Sequence, residues 1–269
     1  MKYELFISDY DGTLGSSPKN DIDSETLDAI NKFIEKGGIF TVCSGRETSS
    51  INRICKEQGL KGLLVSLQGA KITDIETGNC LFSGGLSIET SLQLLDAVKE
   101  YNLTPVIYTD EGLYYNQFNQ YVKLYQDAVR VEGKVVDLYE KIASMKGVIH
   151  KICWLGPDEV VNKCADDLNK VYSSKGVKFN SGARNLLEAI NSNCGKGKAV
   201  RFIADYYNIP LDKVITVGDS TNDLELVCGE WHGVAVGDGR DQLKRVAKEI
   251  TVPFKDKPVK VLLEKYCLS

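Results

Sequence analysis

Apolar positions along this chain follow two different rhythms. Residues 5–7 (Leu-Phe-Ile), 39–43, 63–65 and 214–217 are short continuous apolar runs, the signature of strands buried on both faces. Between them the period lengthens. Ser24 is expected to cap a helix in which Leu27, Ile30 and Ile34 share one face, and Gly37-Gly38 closes it. Ile51, Ile54 and Cys55 share a face over residues 50–58, and Ala199, Phe202, Ile203 and Tyr206 do so over 198–207. Shorter helices are expected at 224–228 and 241–247, with a strand at 233–236. Gln68-Gly69-Ala70 leads into a hairpin whose turn is Glu76-Thr77-Gly78-Asn79. Apolar strands alternating with helices predict an α/β fold with a parallel sheet covered on both faces.

The middle of the chain reads differently. A helix over 88–101 precedes two strands, 106–108 and 113–115, around the turn Thr109-Asp110-Glu111-Gly112. A helix bearing Tyr121 and Tyr125 follows, then a strand at 148–154, a helix at 158–171, and strands at 177–180 and 186–190. Eight of the thirteen tyrosines fall between residues 101 and 172, which marks this stretch as a separate module. Most are expected to be half-buried structural residues, with a few available to line a sugar- or ring-binding surface. The pattern predicts a core made of 1–83 and 185–269, interrupted by an insert at 84–184.

Composition narrows the options. The chain has 269 residues, 43% hydrophobic and 26% charged, so it can bury a sizeable core. A net charge of −4 without basic runs argues against a nucleic-acid partner. There is no apolar run of membrane-spanning length and no secretory leader pattern, so a cytoplasmic protein without a membrane partner is expected. Eight cysteines form no C-x-x-C pair and read as reduced, mostly buried thiols. Only two histidines exist, His150 and His232, which excludes a three-histidine zinc site.

The candidate chemistry lies where strands end. Asp9-Tyr10-Asp11-Gly12-Thr13 follows the first strand, and two neighbouring acids there repel unless something compensates. A metal ion, a nucleophile or a plain loop cap would each account for them. Ser44-Gly45-Arg46 follows the second strand. Lys196-Gly197 opens a helix. Gly218-Asp219-Ser220-Thr221-Asn222-Asp223 follows a later strand. Open α/β sheets build their sites at such positions.

These four motifs, in this order and with a large insertion between the second and third, resemble the haloacid dehalogenase superfamily, and more narrowly its Cof-type phosphatases. The resemblance covers essentially the whole chain. It implies a Rossmannoid parallel-sheet core with an inserted α+β cap domain. It implies a phosphatase that hydrolyses small phosphate monoesters, sugar phosphates or phosphorylated cofactors, through an aspartyl-phosphate. Asp9 is the expected nucleophile and Asp11 the expected proton shuttle. Three acids and a phosphate dianion need a cation. Oxygen-only ligands suit Mg²⁺, with Asp9, the Asp11 backbone carbonyl, Asp219 and Asp223, directly or through water, as the expected shell. Lys196 is expected to add a second positive charge. Ser44, Asn222 and the backbone N–H groups of Gly12 and Gly45 are expected to hold phosphate. Thr13 should tie its turn together. Arg46 either pairs with a nearby carboxylate or contacts substrate. Asn222 can also cap the helix after it.

The chain departs from the family at two places. Gln68-Gly69-Ala70 stands where Asn-Gly-Ala is usual, and Gly237-Asp238-Gly239 where Gly-Asn-Ala is usual. Both bear on substrate choice, where Asp238 would repel anions or bind a hydroxyl or amine. Residues 110–115 and 181–184 of the insert are further candidates for specificity. A phosphomutase with the same nucleophile, or a regulatory or binding protein without turnover, remains the alternative. Oligomeric state is not legible.

Overall fold

A computed structural model describes residues 1–15, 21–129, 131–180 and 184–268. In chain order the strands are β1 (Leu5–Ser8), β2 (Ile39–Cys43), β3 (Leu63–Ser66), β4 (Lys71–Asp74), β5 (Cys80–Ser83), β6 (Thr104–Thr109), β7 (Gly112–Tyr115), β8 (Gly133–Val135), β9 (Lys151–Leu155), β10 (Val177–Asn180), β11 (Leu186–Asn191), β12 (Val214–Gly218), β13 (His232–Ala235) and β14 (Glu249–Ile250). They form two sheets in two compact units, Met1–Phe82 with Gly195–Ser269, and Ser83–Cys194.

The first unit holds an eight-stranded sheet in the order β14-β13-β12-β1-β2-β3-β4-β5. The pairs from β14 to β3 are parallel, and β4 runs antiparallel to β3. Strand β1 pairs with β12 on one side and β2 on the other, so the strand order reverses there. A crevice opens at the carboxyl ends of strands flanking such a switch. Period-two alternation explains the continuous apolar runs, because each face of β1 needs its own cover. Phe6 packs with Phe33 and Phe40 on one face, while Leu5 and Ile7 pack with Ala199 and Ile203 on the other.

The second unit holds a six-stranded sheet, β10-β11-β9-β6-β7-β8. Its pairs are antiparallel except β7 with β8. Ile107, Ile152, Trp154 and Leu187 share one core with residues of the helices Ile88–Val98, Leu138–Ser144 and Asp158–Tyr172. Tyr108, Lys151, Cys153 and Glu188 alternate with them along the same strands and so point to the other face. The two ends of the insert are clipped together. Asn191 Nδ2 donates to the Gly85 carbonyl at 2.7 Å, and Leu86 bridges to Ile149. Nδ1 of His150, whose ring is buried, lies 2.9 Å from the Gly84 carbonyl.

Several expectations need correction. The chain returns to the first unit at Gly195 rather than 185, because β11 pairs with β9 and β10. The first helix, Ser24–Glu35, is capped by Asp23, whose carboxylate accepts from Glu25 and Thr26 N–H. Its buried face is Thr26, Ala29, Ile30 and Phe33, leaving Ile34 40% exposed. The helix whose apolar face is predicted over 198–207 opens at Lys196, where the Lys196-Gly197 motif places its start, and ends at Tyr206. Strands β8 and β14 and the helices Leu138–Ser144 and Pro258–Leu263 escaped the pattern, being short. Six cysteines are buried, and Cys80 and Cys228 are exposed. Among the described residues no helix is long and apolar enough to cross a membrane.

Candidate active site

The loops after β1, β2, β3 and β12, with the helix Lys196–Tyr206, carry the motif residues to one end of the first sheet. Asp9, 5% exposed, follows β1 directly, and its N–H donates to Val217 of β12 at 2.9 Å. The Tyr10 carbonyl then accepts from Thr13, Leu14 and Gly15 N–H, closing a tight turn. Gly12 sits at φ +80°, and a Cβ there would lie 2.7 Å from Asp219 Oδ2. Only glycine combines that backbone with that approach. The Thr13 hydroxyl donates to Asp219 Oδ1 at 3.4 Å, so it ties the turn to the opposite loop as well as to itself.

Lys196 is the centre of the charge arrangement. Its Nζ is 2.6 Å from Asp9 Oδ1 and 2.6 Å from Asp223 Oδ1, and both contacts are buried. Asp223 Oδ2 accepts from the N–H groups of Asp219 and Ser220, each at 3.1 Å. Both oxygens of Asp223 are therefore already engaged. Asp9, Asp219 and Asp223 each bring one oxygen within 4.8 Å of the others, a geometry that can hold a metal ion. Hard carboxylate oxygens on a net negative cluster fit a hard divalent cation.

The electrostatics agree with that need. Burial and the Asp223 carboxylate push the Asp9 carboxyl well above its ordinary value, and Lys196 pulls against them. Burial and Asp223 raise Asp219 to about 6, with Lys196 and the Thr13 hydroxyl opposing. Desolvation acts to lower the Lys196 ammonium, yet Asp223 and Asp9 more than offset it and the net shift is upward. One ammonium faces three carboxylates, so the cluster lacks positive charge.

The remaining motif residues are placed as follows. Ser44, 1% exposed, accepts from Arg46 N–H at 3.1 Å through Oγ. Gly45 lies against the Gln68 carboxamide, and a Cβ there would lie 2.4 Å from Gln68 Nε2 and displace it. Arg46 grips the Asp11 carboxylate in a two-pronged fork, Nε to Oδ2 at 2.7 Å and Nη2 to Oδ1 at 2.6 Å. Its guanidinium also lies 5.1 Å from the Tyr10 ring centroid. Of its two expected roles the carboxylate pairing is present. Asn222 is not the helix cap. Ser220 caps the following turn, in a capping box with Asp223. Asn222 instead donates from Nδ2 to Gln68 Oε1 at 3.5 Å. Asp238 Oδ1 accepts from Phe254 N–H at 2.9 Å, a structural tie for one of its oxygens. In the insert, Asp110 Oδ1 lies 3.0 Å from His150 Nε2. Arg184 Nε lies 3.7 Å from Asp158, while residues 181–183 fall outside the described residues. Arg46 as the partner of Asp11, and Gln68 as the partner of Asn222, are contacts across strands that sequence spacing does not reveal.

A profile of haloacid dehalogenase-like hydrolases matches residues 6–262. An HMP-PP phosphatase of Serratia proteamaculans is 25% identical over 250 residues, covering 93% of this chain and 89% of its own. A Thermotoga maritima crystal structure superposes with a TM-score of 0.85 at 24% identity, covering 99% of this chain and 100% of that one. A haloacid dehalogenase-like hydrolase from Bacteroides thetaiotaomicron superposes with a TM-score of 0.84 at 20% identity, over 98% and 99% of the two chains. These likenesses run from the first strand to the last helix, so the chain belongs to the haloacid dehalogenase-like hydrolases.

Proposed function

We propose that this hydrolase is a Mg²⁺-dependent phosphatase acting on small phosphate monoesters through an aspartyl-phosphate on Asp9. The observation that carries the reading is the buried cluster of Asp9, Asp219 and Asp223 around Lys196, three carboxylates against one ammonium. Burying such an excess of negative charge costs stability, and a site that pays it is built for a cation and an anion together.

Asp9 and Asp219 would hold the cation, with the Asp11 backbone carbonyl. Asp223, whose oxygens serve Lys196 and two backbone N–H groups, would orient the set or reach the cation through water. When bound, Mg²⁺ supplies charge that draws the phosphoryl group in and offsets the charge developing on it. Asp9 must attack as the carboxylate. Lys196 Nζ at 2.6 Å favours that form but does not by itself outweigh burial and Asp223, so the cation would supply the rest, and the position of Asp9 against β12 fixes its direction. Ser44, Asn222 and the N–H group of Gly45 would bind phosphoryl oxygens, whereas the Gly12 N–H expected to join them donates to the Gly15 carbonyl at 2.9 Å. Asp11 then protonates the leaving alkoxide and later takes a proton from the attacking water. To receive a proton it must open one prong of the Arg46 fork.

Substrate breadth is a finer matter. Several similar proteins are named HMP-PP phosphatase, so that compound belongs in the test beside sugar phosphates and phosphorylated cofactors. The experiment measures inorganic phosphate release across this panel, with Mg²⁺ and with chelator, for the native chain and Asp9→Asn. Release that needs Mg²⁺ and vanishes in Asp9→Asn supports the reading. Isomerised ester without free phosphate would point to a phosphomutase and overturn it.

A further inference from the structure

Leu67, Gln68 and Gly69 follow β3 with φ of 52°, 60° and 92°, three left-handed residues in succession. Leucine and glutamine adopt that region only when contacts elsewhere hold them there, and such strain collects at functional sites. The contacts here run to all three neighbouring motif loops. Leu67 N–H donates to the Arg46 carbonyl at 2.9 Å, and Gln68 N–H to the Ser44 carbonyl at 3.2 Å. Gly69 backs onto Gly195, the residue before Lys196, and a Cβ on Gly69 would lie 2.4 Å from the Gly195 carbonyl carbon. The Gln68 carboxamide fills the space beside Gly45 and accepts from Asn222 Nδ2 at 3.5 Å. Asn222 Oδ1 is buried without a hydrogen-bond partner, so Asn222 is steered from its nitrogen side.

We infer that Gln68 is a positioning residue for the phosphoryl group. Its carboxamide spans from the Ser44–Gly45 loop to Asn222 and sets the separation at which the two loops present their donors. This rests on the phosphatase reading above and goes beyond it, by naming what fixes the anion cradle. It also gives physical content to the change from the family's usual asparagine. From the same left-handed backbone an asparagine is one methylene shorter and stops short of Asn222.

The test compares Gln68→Gly and Gln68→Asn with the native full-length chain. It measures the melting temperature, kcat and KM for an ester the native chain hydrolyses, and inhibition by orthovanadate, a mimic of the five-coordinate phosphoryl group. Glycine accepts φ 60° without strain, so Gln68→Gly is expected to melt no lower than the native chain. Its KM and vanadate inhibition constant should nevertheless rise about tenfold, with kcat changed less than about threefold. Gln68→Asn should fall between the two. Unchanged KM and vanadate inhibition in Gln68→Gly would overturn the inference. So would a melting temperature that falls together with affinity, since the residue would then be a structural spacer. If the native chain neither releases phosphate nor binds vanadate, the phosphatase reading itself fails and the inference falls with it.

Discussion

Two lysines in this chain are buried to the same depth, one in each unit. Lys196 is 2% exposed and Lys151 3%, and each ammonium lies 2.6 Å from a carboxylate oxygen. Desolvation opposes the charge on both, and in both the neighbouring carboxylates win. The difference is in the count of charges. Lys151 meets Glu188 one to one, with its ammonium 4.6 Å from the Tyr108 ring centroid, and the account is closed. Lys196 bridges Asp9 and Asp223, and Asp219 stands beside them. A matched buried lysine is architecture, whereas a lysine outnumbered by carboxylates marks a place that can hold a cation.

The comparison can be broken most sharply at Asp9. Asp9→Asn should lower phosphate release by about 10⁴-fold or more, because the amide cannot form the acyl-phosphate. Its melting temperature should hold or rise, since a buried charge leaves. A mutant that keeps turnover would remove Asp9 from its role. The two lysines come next. Lys196→Met should cut kcat by about 10³-fold. Lys151→Met should leave kcat within about twofold but lose about 3 kcal/mol of stability by stranding Glu188, and Lys151→Met with Glu188→Leu should regain most of it. Denaturant titration beside the kinetics would distinguish these outcomes.

Metal and pH sharpen the contrast further. The Asp219 carboxyl is raised from 3.8 to about 6, so the folded metal-free protein binds this proton more tightly than the unfolded chain does. That contribution to stability is present below the unfolded value and is lost as pH rises to about 6. Mg²⁺ should therefore raise the melting temperature more at pH 8 than at pH 5, where it must displace a proton. Equal shifts at both pH values, read by thermal unfolding with and without chelator, would contradict this. The smallest effect belongs to Asp238→Asn, which removes a charge but keeps an acceptor for Phe254 N–H. It should alter stability by less than about 0.5 kcal/mol. A changed substrate ranking in this variant would show that Asp238 reads the substrate.

Much of the core was legible because strands buried on both faces leave continuous apolar runs, as at β1, β2 and β12. Apolar periodicity marks the helix Lys196–Tyr206 only from residue 198, and its start is legible from the Lys196-Gly197 motif instead, because the buried Lys196 carries charge and Gly197 no side chain. Pro258 at the first turn of Pro258–Leu263, with Val259, Leu262 and Leu263 buried behind it, is a start signal for a helix too short to show a full apolar period. At the site, the acids and the lysine are visible as local motifs. The Arg46–Asp11 fork and the Gln68–Asn222 contact are not, because each joins loops from different strands. Nor does any local propensity announce that Leu67 and Gln68 turn left-handed.

The clip between Asn191 and Gly85 has a consequence for how the enzyme comes into being. Lys196 is the second residue after the chain re-enters the first unit, so it meets Asp9 only after everything from Ser83 to Cys194 has been looped out. For a floppy insert that closure would carry the entropy of a long loop, growing with the logarithm of its length. An insert whose two ends are already fastened presents the first unit with the equivalent of a short turn. Lesions in the core of the second unit would then be felt as slow assembly of the lysine with its acids.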